Sequence, residues 1–179
     1  MPFCWLMTDR RLGSAMPRIV AAMPPRSGVI VRPYAMEADG RAALIRSIRR
    51  AGRAKRHVLL IADARAAGFD GRHRGGAVTR LPQPCRNGIE SMPVHDERQA
   101  ARALRTKVSL CLISPVWATR SHPGAVTLGV RGFARLAARL RKDTHVIALG
   151  GMTARSHRTL RRHGANGWAA IDGWQVDPA

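Results

Sequence analysis

The segment that most restricts how this chain can fold runs from His145 to Trp174. Residues 145–149 (HVIAL) form a short run rich in β-branched and long aliphatic side chains, the profile of a strand buried on both faces. Gly150-Gly151 ends it without side chains, so the backbone can turn sharply and approach a ligand closely. Thr153 is a suitable N-cap for a helix over 154–163, Gly164 a suitable C-cap, and residues 167–171 read as the next strand. Strand, glycine turn, helix, glycine stop and strand make a βαβ unit, which requires a parallel sheet. The glycine turn falls at a strand C-terminus, where backbone amides bind anions. Without that chemistry the glycine pair reads only as a tight connection.

The same alternation extends back to the N-terminus. Strands are expected over residues 3–8, 27–32 and 57–63, then from Gly71, over 89–94 with Pro93 interrupting it, and over 107–116. Helices are expected over 14–23, stopped by Pro24-Pro25, and over 39–55, 96–106 and 130–142. Asp96 and Glu97 suit the positive end of the third of these. A brief helical turn is expected over 64–67. Residues 78–87, with Pro82 and Pro84, read as a loop, as does the polar, glycine-rich stretch 117–129. GFDG at 68–71 and GANG at 164–167 share a grammar: a glycine ending a helix, a small connection and a glycine opening a strand. Seven or eight strands alternating with helices in 179 residues imply one domain spanning 1–179, a compact (β/α)₈ TIM barrel with shortened fourth and eighth helical segments. An open doubly wound sheet is the competing arrangement.

Composition excludes several classes. No run of about 18 apolar residues occurs, so no membrane span is expected, and the first residues lack the character of a signal peptide. Three cysteines, with no Cys-x-x-Cys pair, suit a reducing cytoplasm and give no metal-site spacing. The net charge is +20, yet of 31 lysines and arginines only Lys55, Lys107 and Lys142 are lysine. Arginines spread through every segment, without the aromatic pattern of an RNA module, read as a solvated surface rather than a nucleic-acid interface. Attraction of a phosphorylated small substrate is a milder use of the same charge.

Several segments resemble, in order, the thiamine-phosphate synthase and thiazole tautomerase superfamily: CWLMTDR, LLIADARAAGFDGRHRGG, HDERQAARAL, SPVWATRSHPGAVTLG and VIALGGMTARSHRTLRRHGANGWAAI. The resemblance implies a triosephosphate-isomerase-type barrel. It also implies coupling of hydroxymethylpyrimidine diphosphate to a thiazole phosphate, with magnesium assisting pyrophosphate release. Carried onto this sequence, it assigns thiazole-phosphate binding to Gly150, Gly151, Ile171 and Asp172, although a carboxylate facing phosphate is repulsive. It assigns the departing diphosphate to Thr119, Ser121 and Arg32, and Mg2+ to Asp63. The departures are equally specific. The family's glutamine-x-arginine-x-lysine on strand two keeps only Arg32 within Ile30-Val31-Arg32-Pro33-Tyr34, and the metal-strand asparagine is Ala62. Its second magnesium carboxylate falls in Gly76-Ala77-Val78. Its pre-helix serine aligns with Pro93, with Ser91 displaced. Its diphosphate lysine is His122, a weaker permanent cation, leaving Arg120 or another local arginine to compensate.

Each candidate also has a purely structural reading: Asp63 as a cap, His73 as an ordinary strand histidine, Thr119 and Ser121 as loop residues, and Asp9 with Arg10 as a barrel-end ion pair. The leading expectation is a synthase-like transferase acting on phosphorylated thiazole and pyrimidine diphosphate molecules. A non-synthase paralogue, either a thiazole tautomerase or a non-catalytic phosphate-ligand barrel, is the alternative. Nucleic acid is not an expected partner.

Overall fold

The computed structural model describes residues 1–33, 36–63, 67–75, 88–121, 123–140 and 142–174. Its strands are β1 (Cys4–Met7), β2 (Gly28–Val31), β3 (Val58–Ala62), β4 (Gly71–His73), β5 (Ile89–Val94), β6 (Leu110–Ile113), β7 (His145–Leu149) and β8 (Gly167–Ala170). Each pairs in parallel with the next, and β8 pairs with β1 through Cys4↔Trp168 and Trp5↔Ala169, so the sheet closes into an eight-stranded barrel. That closure rules out the open doubly wound sheet. The outer layer is α1 (Met16–Ala22), α2 (Arg41–Ala54), α3 (Glu97–Thr106), α4 (Gly129–Ala138) and α5 (Ala154–Arg161). The strands are buried almost throughout, because side chains alternate between the barrel interior and the helical layer. No described helix is long and apolar enough to cross a membrane.

Local chemistry accounts for the boundaries. Thr153 caps α5 in a reciprocal capping box with Ser156, and Asp96 caps α3 by accepting the Gln99 amide. The helix expected over 14–23 begins only at Met16 as α1; the residues before it, Arg10–Ala15, form a 3₁₀ segment kinked at Gly13, whose φ is 47°. Strand β6 is shorter than the 107–116 expectation, since Lys107 already serves as the left-handed cap of α3. Helix α4 likewise ends at Ala138, short of 142.

Pro93 does not interrupt β5. The Ser91 carbonyl accepts from Arg74, so alternate residues 91 and 93 face β4, and position 93 lies beyond the last β4 residue, His73. No ladder donor is lost there. After β8 the described chain makes only a 3₁₀ turn, Asp172–Trp174, with no α-helix. The expected fourth-segment loop (78–87) and most of the turn expected over 64–67 lie outside the described residues.

The GFDG and GANG echo is architectural. Asp70 and Leu59 exchange two 2.8 Å bonds, the Asp70 amide donating to the Leu59 carbonyl and the Leu59 amide to the Asp70 carboxylate. Asn166 and Val146 do the same, also at 2.8 Å. Each side chain extends its strand pairing by one rung at the end of the barrel remote from the glycine turn. The glycines that follow admit a neighbouring backbone: a Cβ on Gly71 would lie 2.0 Å from the Ile89 oxygen, and one on Gly167 2.3 Å from the Phe3 oxygen.

Candidate functional site

The C-terminal ends of the strands open onto a cavity of about 700 Å³. Barrels of this kind place ligands at that face because their βα loops converge there. Leu149–Thr153, from the last residue of β7 onward, and Ala170–Gly173, from the last residue of β8 onward, line the same cavity, so the two glycine-rich segments face one space. Gly150 and Gly151 hold positive φ values of 97° and 61°. They also make room for the loop after β6: a Cβ on Gly151 would stand 2.7 Å from the Ala118 carbonyl oxygen, and one on Gly150 2.9 Å from Pro115 Cα. The tandem glycines therefore serve packing and exposure of the turn together.

That loop supplies Thr119, Arg120 and Ser121 to the cavity wall, and the two hydroxyls lie 3.3 Å apart. Arg32 enters from the end of β2. Its Nη2 donates to Asp9 at 2.8 Å, while its backbone amide donates to the Thr8 hydroxyl. Asp9 does not pair with Arg10. Its second partner is Arg11, whose Nε lies 2.8 Å from Oδ1. Burial alone would raise the Asp9 carboxyl, but hydrogen bonds from Arg11 and the charges of Arg11 and Arg32 outweigh it and hold the group below the usual carboxylate range.

Asp172 is neutralised rather than left facing an anion. Arg11 Nη1 reaches its Oδ2 at 3.2 Å, and Arg120 Nε reaches the same oxygen at 3.3 Å. Arg11 also donates through Nη2 to Ser121 at 3.0 Å. One guanidinium thus ties the loop after β1 to those after β6 and β8.

Asp63 does not line the cavity. It has a positive φ of 49°, and its Oδ1 accepts the Gly75 amide at 2.6 Å, a cap at the end of β4. His122 lies outside the described residues. The other candidates, Arg32, Thr119, Arg120, Ser121, Gly150, Gly151, Ile171 and Asp172, all line the one cavity.

Two histidines add to them. His73 lines the cavity, with Nδ1 2.9 Å from the Ser91 hydroxyl. Burial first, then the charge of Arg32 and the neighbouring His95, push its pKa down to about 4, so it is neutral at pH 7. His95, at the mouth, has Nδ1 2.7 Å from the Ser114 carbonyl. That atom must donate, which leaves Nε2 with its lone pair in the neutral ring. Sequence reasoning missed His95 and Arg11. The available signal was position: each falls just beyond a strand's C-terminal end. The buried thiols are poor nucleophiles: burial pushes Cys111 up to about 12 and raises Cys4.

A family model described as thiamine monophosphate synthase matches residues 8–173. Among solved structures, thiamine phosphate pyrophosphorylase from Pyrococcus furiosus superposes with a TM-score of 0.73 at 19% identity, covering 94% of this chain and 85% of that one. Thiamine phosphate pyrophosphorylase from Bacteroides thetaiotaomicron gives 0.63 at 12% identity, covering 97% and 84%. Orotidine 5'-phosphate decarboxylase from Pyrococcus horikoshii gives 0.62 at 12% identity, covering 93% and 88%. No curated protein sequence matches the chain.

Proposed function

Because this chain belongs to the thiamine monophosphate synthase family, we propose that it joins a hydroxymethylpyrimidine diphosphate to a thiazole phosphate, with pyrophosphate leaving. The observation that carries this reading is convergence. The turn after β7, the start of the segment after β8 and the hydroxyl pair after β6 face one cavity at the barrel mouth. In this reading the backbone around Gly150-Gly151 and Ile171-Asp172 holds the thiazole phosphate, while Thr119 and Ser121 donate to the diphosphate. The carbon–oxygen bond to the diphosphate breaks with its electron pair leaving on pyrophosphate, and the thiazole nitrogen bonds to the carbon released. Stabilising that anion is the main electrostatic task, and Arg32 and Arg120 supply fixed positive charge beside it.

Magnesium fits the described residues poorly. Asp63 is absent from the cavity lining, and one of its oxygens is committed to the Gly75 amide. The sequence carries no carboxylate between Asp70 and Glu90, where the family's second ligand falls. No step is routed through the ion.

A second reading draws support from His95 and His73. Tautomer conversion needs only a proton donor and acceptor near the ring, and His95, arriving from β5, sits against Ser114 beside Pro115. Purified chain mixed with both precursors and magnesium, followed for pyrophosphate, tests the first reading. Release that drops about tenfold or more in Thr119→Ala supports it. Thiazole phosphate bound without pyrophosphate release overturns it, and tautomer conversion under those conditions selects the second.

A further inference from the structure

We propose that Arg11 is a diphosphate-binding residue, held in readiness by Asp9 and kept from excess binding strength by Asp172. The proposal rests on the reading of Thr119 and Ser121 as the diphosphate-side hydroxyls. Arg11 divides its guanidinium three ways: Nε to Asp9 at 2.8 Å, Nη2 to Ser121 at 3.0 Å and Nη1 to Asp172 at 3.2 Å. Asp9 is anchored from its other oxygen by Arg32 at 2.8 Å, so the shortest of these contacts is also the most firmly held. The contact to Asp172 is the longest, and Arg120 Nε already shares its oxygen at 3.3 Å.

An anion arriving at the hydroxyl pair therefore meets a guanidinium fixed at one edge, with one terminal nitrogen already on Ser121. Its remaining terminal nitrogen can exchange a carboxylate for a phosphate oxygen. Arginine's planar fork suits that exchange, because its separate, rigidly placed donors let one contact change while the others hold. The Arg11 side chain is 34% exposed against 69% for Arg120, so Arg11 is the more enclosed of the two cations beside Asp172. A purely structural strap across the mouth would make Arg11 and Asp172 equivalent partners. In the binding role they oppose each other, and that difference can be measured.

Inorganic pyrophosphate titrated calorimetrically into the full chain at fixed ionic strength is the test. Arg11→Ala is expected to weaken pyrophosphate binding roughly tenfold or more, with partial recovery in Arg11→Lys, which keeps the charge and loses the fork. Asp172→Asn is expected to tighten it, because the competing carboxylate is gone. Equal weakening in Arg11→Ala and Asp172→Asn, or no change in either, would overturn the proposal. Should Arg11→Ala fail to fold, Arg11→Lys and Asp172→Asn still decide by their opposite signs. Arg11-dependent pyrophosphate binding without turnover of the precursor pair would remove the synthase reading and leave this one standing. Turnover with pyrophosphate affinity indifferent to both substitutions would do the reverse.

Discussion

Two buried histidines define how single residues respond to pH. His57 accepts the Ser27 amide on Nδ1 at 3.1 Å and donates from Nε2 to the Val20 carbonyl at 2.9 Å, an arrangement only the neutral ring can make. Burial lowers its pKa, as it does for His73, which falls from 6.5 to about 4. The unfolded chain therefore binds more protons than the folded one between about pH 4 and 6.5, and stability rises with pH across that window. The contribution is complete above pH 6.5 and is lost as the pH falls toward 4, about 3 kcal/mol for His73. Urea midpoints at pH 7.5 and 4.5 check this, and the slope should flatten in His73→Gln. Gly151 is the second residue with a sharp expectation. Gly151→Ala combines a positive φ with a Cβ placed against the Ala118 carbonyl, so about 1–3 kcal/mol of stability should be lost. On the proposed function, thiazole-phosphate affinity should fall with it, as calorimetry would show.

Among the elements, the repeated α-to-β connection carries the clearest structural logic. Asp70 and Asn166 occupy equivalent places ahead of β4 and β8, and each bonds to the strand before it through both amide and side chain. Asn166→Ala removes the acceptor of the Val146 amide and should cost about 1–2 kcal/mol by chemical denaturation. Asp70→Ala should cost at least as much, because Arg53 also pairs with that carboxylate at 3.0 Å. A cost below experimental error in both would mean that water replaces these rungs freely. The echo was legible as spacing, GFDG against GANG, but its purpose was not. A four-residue pattern does not reveal which neighbouring backbone its last glycine admits.

Across the whole molecule, closure and charge act in opposite directions. The closed barrel has no strand edge to pair with another chain, which removes one route to aggregation. A net charge of +20 on 179 residues, however, repels itself in the folded state more than in the expanded one. Raising the salt from about 0.05 M to about 0.5 M shortens the screening length severalfold and should raise the thermal midpoint by a few degrees. A midpoint that is flat or falls with salt would show that local pairs, such as Arg72 and Arg74 on Glu90, outweigh the general repulsion.

What the sequence determined by itself was periodic and local: the order of the strands, the capped helix after the glycine pair, acidic residues at the start of α3, and glycine-rich turns at strand C-termini. These follow from burial pattern and backbone preference, which neighbours along the chain dictate. Tertiary structure decided the rest. It paired β8 with β1, placed Pro93 beyond the reach of β4, turned Asp63 toward Gly75, and brought Arg11 to Ser121 and Asp172 across 110 and 161 residues of chain. A charged side chain finds its partner by where separate loops converge, and that convergence exists only once the barrel has closed.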